Sequence, residues 1–325
     1  MTARVGAPDQ RHRWLLGLLV VIWAVSWPVI KVGVSTVPPI WFGCLRYAVA
    51  TVCLFSLVIL RRELILPSRS DWQLIVVSGI LQMGAFSSFT AIALTILPPG
   101  RASVLAFSTP LWVVPLAAWR LGEHVSTRAL RGVGIGLLGV LVIASPALAS
   151  GGQREAPAYA LLLGASAAWA VSIVFVRGHK FGASPLALAP WQTLVATVVL
   201  LPLAIAAEGI PRGVDARGIA ALAYVGPMAT AFAYWAVVEV GRHFRASTIS
   251  MALLATPGLG LLISTLTLHE TVSISLAAGI VLVGVGIRLA TTGHDRAPLP
   301  GAVINRSAVA SPGADMARCP PRRTR

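Results

Sequence analysis

One charged side chain lies well inside an apolar run of this sequence: Arg46, seven residues beyond Pro39. An arginine at that depth can snorkel to headgroups, cap neighbouring carbonyls, or face a cavity and attract an anionic group. The residue 146 positions later is Gln192, neutral but equally able to hydrogen-bond. A cationic wall facing a neutral one would suit a solute with a carboxylate at one end. Trp23, Ser26 and Trp27 form a second set, answered by Trp169 and Ser172. Aromatic faces beside hydroxyls can line a pocket for a partly apolar solute, although tryptophans also serve as interfacial anchors. Gln82, with Ser87, Ser88 and Thr90, adds polar groups to a third run; Tyr234 and Trp235, with Tyr224, add them to an eighth. Helical spacing keeps these residues from all facing one way, so about half are expected to line a path. They are candidate binding groups.

Catalysis is not expected. The six histidines (His12, His124, His179, His243, His269, His294) fall in loops, tail or termini. No His-Glu-x-x-His, Gly-x-Ser-x-Gly or Walker sequence appears. Cys44 and Cys53 are too far apart to bridge along one helix, and Cys319 is near the C-terminus. The sequence therefore implies no catalytic residue, cofactor or metal, and no disulfide framework. All eleven acids lie between apolar runs or at their ends, so a mid-membrane proton-carrying carboxylate is missing. Proton coupling would need Glu239 or a loop group; facilitated movement down a gradient fits equally.

The elements that position these residues are membrane helices. The chain has 325 residues, 56% hydrophobic and 11% charged, a surface far too poor in charge for a soluble protein of this size. Apolar runs near 14–32, 39–60, 72–94, 101–119, 130–149, 158–176, 186–207, 217–238, 247–268 and 272–290 are each long enough to cross about 30 Å of hydrocarbon. The fold class expected is all-α, polytopic, with ten transmembrane helices. Arginine and lysine set the orientation. With the N-terminus inside, thirteen fall on cytoplasmic segments before the C-terminal tail and five on the other side. Both termini are then cytoplasmic, in a bacterial plasma membrane. The formal charge of +15 is spread over short loops and the tail, which suits anionic lipid headgroups as partners and argues against nucleic acid.

The sequence also repeats. Trp23-Ala24-Val25-Ser26 recurs as Trp169-Ala170-Val171-Ser172. Thr109-Pro110, Glu123, Gly132 and Gly139 answer to Thr256-Pro257, Glu270, Gly279 and Gly286, each displaced by 147. Two five-helix repeats follow, 14–149 and 158–290, flanked by a cytoplasmic 1–13, a linker 150–157 and a basic, disordered tail 291–325. An odd number of spans per repeat inserts the second copy upside down. Pro28, Pro110 and Pro257 are candidate kinks or hinges. Glu123 and Glu270 are expected to be structural, capping the next helix or pairing with neighbours such as Arg128. The glycines of the fifth and tenth spans predict close helix packing, within a half or between two molecules as a homodimer.

Leu97-Pro98-Pro99-Gly100-Arg101-Ala102-Ser103, Phe107-Ser108-Thr109-Pro110-Leu111 and Leu121-Gly122-Glu123, repeated as Arg245-Ala246-Ser247, Ala255-Thr256-Pro257 and Leu268-His269-Glu270, carry a family resemblance. Over residues 14–290 the chain resembles the drug/metabolite transporter superfamily, specifically ten-span proteins built of two EamA domains. The resemblance implies export or exchange of a small metabolite, often an amino acid or related compound, through a central cavity. His269 replaces the usual glycine, so the turn before Glu270 is expected to be built differently. A membrane scaffold, a lipid-flipping protein, and a nucleotide-sugar or drug-type carrier of the same superfamily are the alternatives.

Overall fold

A computed structural model describes residues 9–149, 153, 155–179, 182–211, 213–244 and 246–291. Half of the 150–157 linker (150–152 and 154) and all but the first residue of the 291–325 tail lie outside the described residues. Among those described are ten helices long and apolar enough to cross a membrane. They are α1 (Gln10–Val34), α2 (Pro39–Leu60), α3 (Arg69–Ile96), α4 (Pro99–Leu121), α5 (Thr127–Ala149), α6 (Ala156–Gly178), α7 (Pro185–Glu208), α8 (Ala216–His243), α9 (Ala246–Leu253 continued by Ala255–Leu268) and α10 (Ile274–Thr291). Several run beyond the apolar stretch that marks them; α8 continues to His243, where the sequence suggests an end near 238.

Local chemistry sets the starts. Proline opens α2, α4 and α7, where a missing N–H costs nothing and φ is already helical. Ser68 and Asp71 form a capping box on α3. The Asp215 side chain accepts from the Gly218 amide at the start of α8, and that bond holds its carboxyl below the usual range.

Helix partners repeat as the sequence does. α2 packs on α7 and α5 on α10, each against its own counterpart in the other half. α1 contacts α8 and α9, as α6 contacts α3 and α4; α8 lies on α2, as α3 lies on α7. Equivalent helices thus exchange equivalent partners between the two halves.

Glycine draws the axial pairs together. A Cβ on Gly286 would collide with the Gly136 amide, and one on Gly279 would sit 2.9 Å from the Gly139 carbonyl. Gly132 and Gly139 meet α10 in the same way. The glycine face thus joins α5 to α10 between the halves of one chain, which corrects the expectation of packing within a half. Gly134 and Gly284 touch nothing there. A small-residue seam gives dispersion contact where lipid offers no hydrophobic gain.

Four spans are irregular, in matched pairs. α3 carries a π-helical stretch at Ser78–Ala85 and α8 one at Val225–Phe232, displaced by the same 147 residues as the sequence repeat. α4 breaks at Phe107-Ser108 and α9 at Leu254. Pro110 and Pro257 therefore do not kink a continuous helix. Each falls in the first turn of the restarted helix, where proline is tolerated. Pro28 alone of the three lies in a helix interior.

His269 brings a second correction. It ends α9 at φ 54°, as Gly122 ends α4 at φ 66°. The turn before Glu270 is built like that before Glu123, with a residue whose Cβ disfavours the left-handed region.

Candidate functional site

The π segments gather most of the polar candidates. A π turn leaves its backbone acceptors out of the i−4 register; the Thr230 hydroxyl donates to the Val225 carbonyl, five residues back. Arg46 Nε donates to Thr230 Oγ1 at 2.8 Å, and the Trp23 indole donates to the Ala229 carbonyl at 3.1 Å. Just beyond the same segment, the Tyr234 hydroxyl donates to Gln192 Oε1 at 3.1 Å. On the other π segment, the Ser172 hydroxyl lies 3.3 Å from both Ser78 Oγ and Gln82 Oε1.

Glycine makes these approaches close. Gly79 lies against the Gln192 carbonyl and Val195, and Gly226 lies against the Arg46 carbonyl and Val49. These are equivalent contacts in the two repeats. Arg46 and Gln192 therefore occupy the same place, each beside the glycine of a π segment. Thr51 donates to Thr193 at 2.9 Å where α2 meets α7.

An aromatic row runs beside this polar group. Trp27 on α1 meets Phe107 at the break of α4, with centroids 6.2 Å apart. Phe107 meets Trp169 edge-on at 6.4 Å, and Trp169 meets Phe86 at 4.9 Å. Phe107 joins the candidate residues through these contacts, though the sequence does not single it out; its position two residues before Thr109-Pro110 is the available signal. Ser26 stands apart, because its hydroxyl is spent on the Trp23 carbonyl three residues back. Trp235 packs on Phe232, with its indole nitrogen buried and unpartnered among the described residues. The hydroxyls of Ser88, Thr90 and Thr256 are buried and, among the described residues, likewise without a partner.

Glu123 and Glu270 each reach across to the other repeat. Glu270, 8% exposed, accepts from the Gly100 and Arg101 amides at 2.8 and 3.1 Å and from the Ser264 hydroxyl. It caps the N-terminus of α4 in the other repeat, where the helix dipole favours an anion. Glu123 pairs with Arg177 at 2.6 Å. Lys31, the equivalent of Arg177, donates instead to the Leu94 and Leu97 carbonyls at the end of α3. The two repeats therefore differ: one closes an ion pair, and the other sends both charges to helix ends.

Residues 13–145 and 156–292 each match the EamA-like transporter family, so together the matches take in most of the chain. This chain belongs to the EamA-like transporter family. It is similar to the uncharacterized transporter YoaV of Bacillus subtilis, 25% identical over 280 residues, covering 85% of this chain and 96% of that one. It is also similar to a probable amino-acid metabolite efflux pump of Salmonella typhimurium, 25% identical and covering 86% and 94%. A probable terminal-alkyne amino-acid exporter of Streptantibioticus cattleyicolor is 28% identical, covering 79% of this chain and 85% of the relative. A solved crystal structure superposes with a TM-score of 0.59 at 21% identity, covering 87% of this chain and 97% of that one, and shares the fold.

Proposed function

We propose that this protein is a secondary carrier that exports or exchanges a small organic metabolite, an amino acid or related polar compound, by alternating access. The observation that supports this most directly is the matched set of irregular spans. α3 and α8 carry π segments and α4 and α9 are broken, at equivalent positions in both repeats. Irregular backbone at membrane depth belongs beside a cavity, where freed carbonyls can meet a solute. The polar candidates and the aromatic row collect around these segments.

On this reading residues 14–149 and 158–290 are two five-helix domains of opposite insertion. They rock about the Arg46 and Gln192 positions. Arg46 meets the carboxylate of the solute, Gln192 and Tyr234 its neutral end, and the aromatic row its apolar part. The Glu123–Arg177 pair closes one face in this conformation, while Lys31 and Glu270 leave the opposite face without an equivalent ion pair. Both termini lie in the cytoplasm of a bacterial cell, and the surrounding partners are membrane lipids. The amino-acid compounds in the names of two relatives suggest the substrate class.

Counterflow of a mixed metabolite pool into proteoliposomes tests the reading. Uptake of one or a few amino-acid-like solutes is expected, falling in Arg46→Ala and Gln192→Ala. Movement of lipid without any solute counterflow would overturn it.

A further inference from the structure

We propose that His12, Glu239 and His243 form a binding site for a divalent transition-metal cation of the zinc type, joining α1 to the far end of α8. The two histidines are distant in sequence but meet across the α1–α8 contact, their rings stacked with centroids 3.6 Å apart and planes at 21°. One ligand atom from each of the three residues lies within 4.8 Å of the other two, and all three residues are partly exposed. The sequence expectation of no metal rests on linear Cys/His spacing; folding supplies the proximity that spacing lacks.

Three features prepare this cluster for a cation. His243 Nδ1 lies 3.0 Å from the Glu239 carbonyl oxygen, which can only accept. In the neutral ring the proton therefore sits on Nδ1, leaving the Nε2 lone pair for a metal. His12 Nδ1 is buried with no hydrogen-bond partner among the described residues, a cost that coordination would remove. Glu239 brings a negative charge, offset in part by Arg242 at 3.4 Å. Two imidazoles and one carboxylate form an N2O set that suits zinc and leaves a fourth position for water. Two parallel rings cannot both point at one ion, so binding turns one of them out of the stack. The ion then ties α1 to α8 beside the N-terminus, at an end that alternating access must open and close.

Titration of the full-length, untagged protein in detergent with Zn2+, followed calorimetrically at neutral pH, tests the site. One micromolar-range site is expected, weakened at least tenfold in His12→Ala, His243→Ala and Glu239→Gln, and unchanged in His124→Ala. A His12→Cys variant that still runs as a single species on size exclusion is expected to bind Cd2+ more tightly than the parent does. Zn2+ binding equal in parent, His12→Ala and His243→Ala, or a parent that binds no Zn2+, overturns the proposal. So does Cd2+ affinity unchanged by His12→Cys. Because the readout is metal binding, the result stands whether or not the transport reading does.

Discussion

At the scale of single residues, Arg46 and Glu270 hold the two most exacting polar positions. Arg46 spends one nitrogen on Thr230 and keeps the rest of its guanidinium for other partners. A charge-assisted hydrogen bond contributes about 1.5–3 kcal/mol, and each 1.4 kcal/mol is about tenfold. Arg46→Ala is therefore expected to slow counterflow of carboxylate-bearing solutes about tenfold or more; unchanged rates for every such solute would remove Arg46 from the binding role. Glu270 accepts from two helix-end amides and one hydroxyl. Removing it in Glu270→Ala leaves those donors unmet and is expected to cost about 2–3 kcal/mol. The check is a lower thermal midpoint in detergent. Arg46 stood out in the sequence because a charge in an apolar run is rare. The partners of Glu270 did not, since nothing local says that a carboxylate after α9 will cap α4.

At the scale of elements, the turns and irregular spans carry the argument. His269 holds a left-handed conformation that costs a Cβ-bearing residue about 1–2 kcal/mol. Part of that gain is offset by glycine's extra freedom in the unfolded chain. His269→Gly is expected to raise stability by up to about 1 kcal/mol, measured as a higher thermal midpoint with unchanged oligomeric state. The helices were legible because apolar length and flanking proline report them directly. The π segments were not. An apolar run reads the same whether its bonds close at i−4 or i−5. The surviving trace was the pair Gly79 and Gly226, at the repeat spacing and each pressed against a neighbouring helix. The prolines left the geometry open for a related reason, since a proline marks an interruption without saying whether the helix bends through it or stops and restarts.

At the scale of the whole molecule, the repeat in the sequence is matched by the exchange of partners in the structure. Opposite insertion of the halves puts the turns at Glu123 and Glu270 on opposite faces of the membrane. Cysteines placed singly beside Glu123 and Glu270 are expected to react with an impermeant maleimide from opposite faces of the membrane; labelling from one face would defeat it. Charge exchange probes the Glu123–Arg177 pair. Glu123→Arg and Arg177→Glu are each expected to impair transport, and the double variant to recover a substantial part; no recovery would mean the pair does not act as a unit. The glycine pattern in α5 and α10 was visible in the sequence, yet its partner was not, because small residues state that something comes close without naming it.

The α5–α10 seam has a consequence for a chain divided between its halves. Each repeat supplies one side of it, so neither half made alone could cover its own glycine stripe. A separated fragment should seek a sister fragment lying the other way up. Co-production of the two fragments as independent polypeptides should restore a working carrier, whereas Gly286→Val should block that reunion and Gly284→Val should not. The seam would then be what holds two separately made halves together, with no peptide bond needed between them.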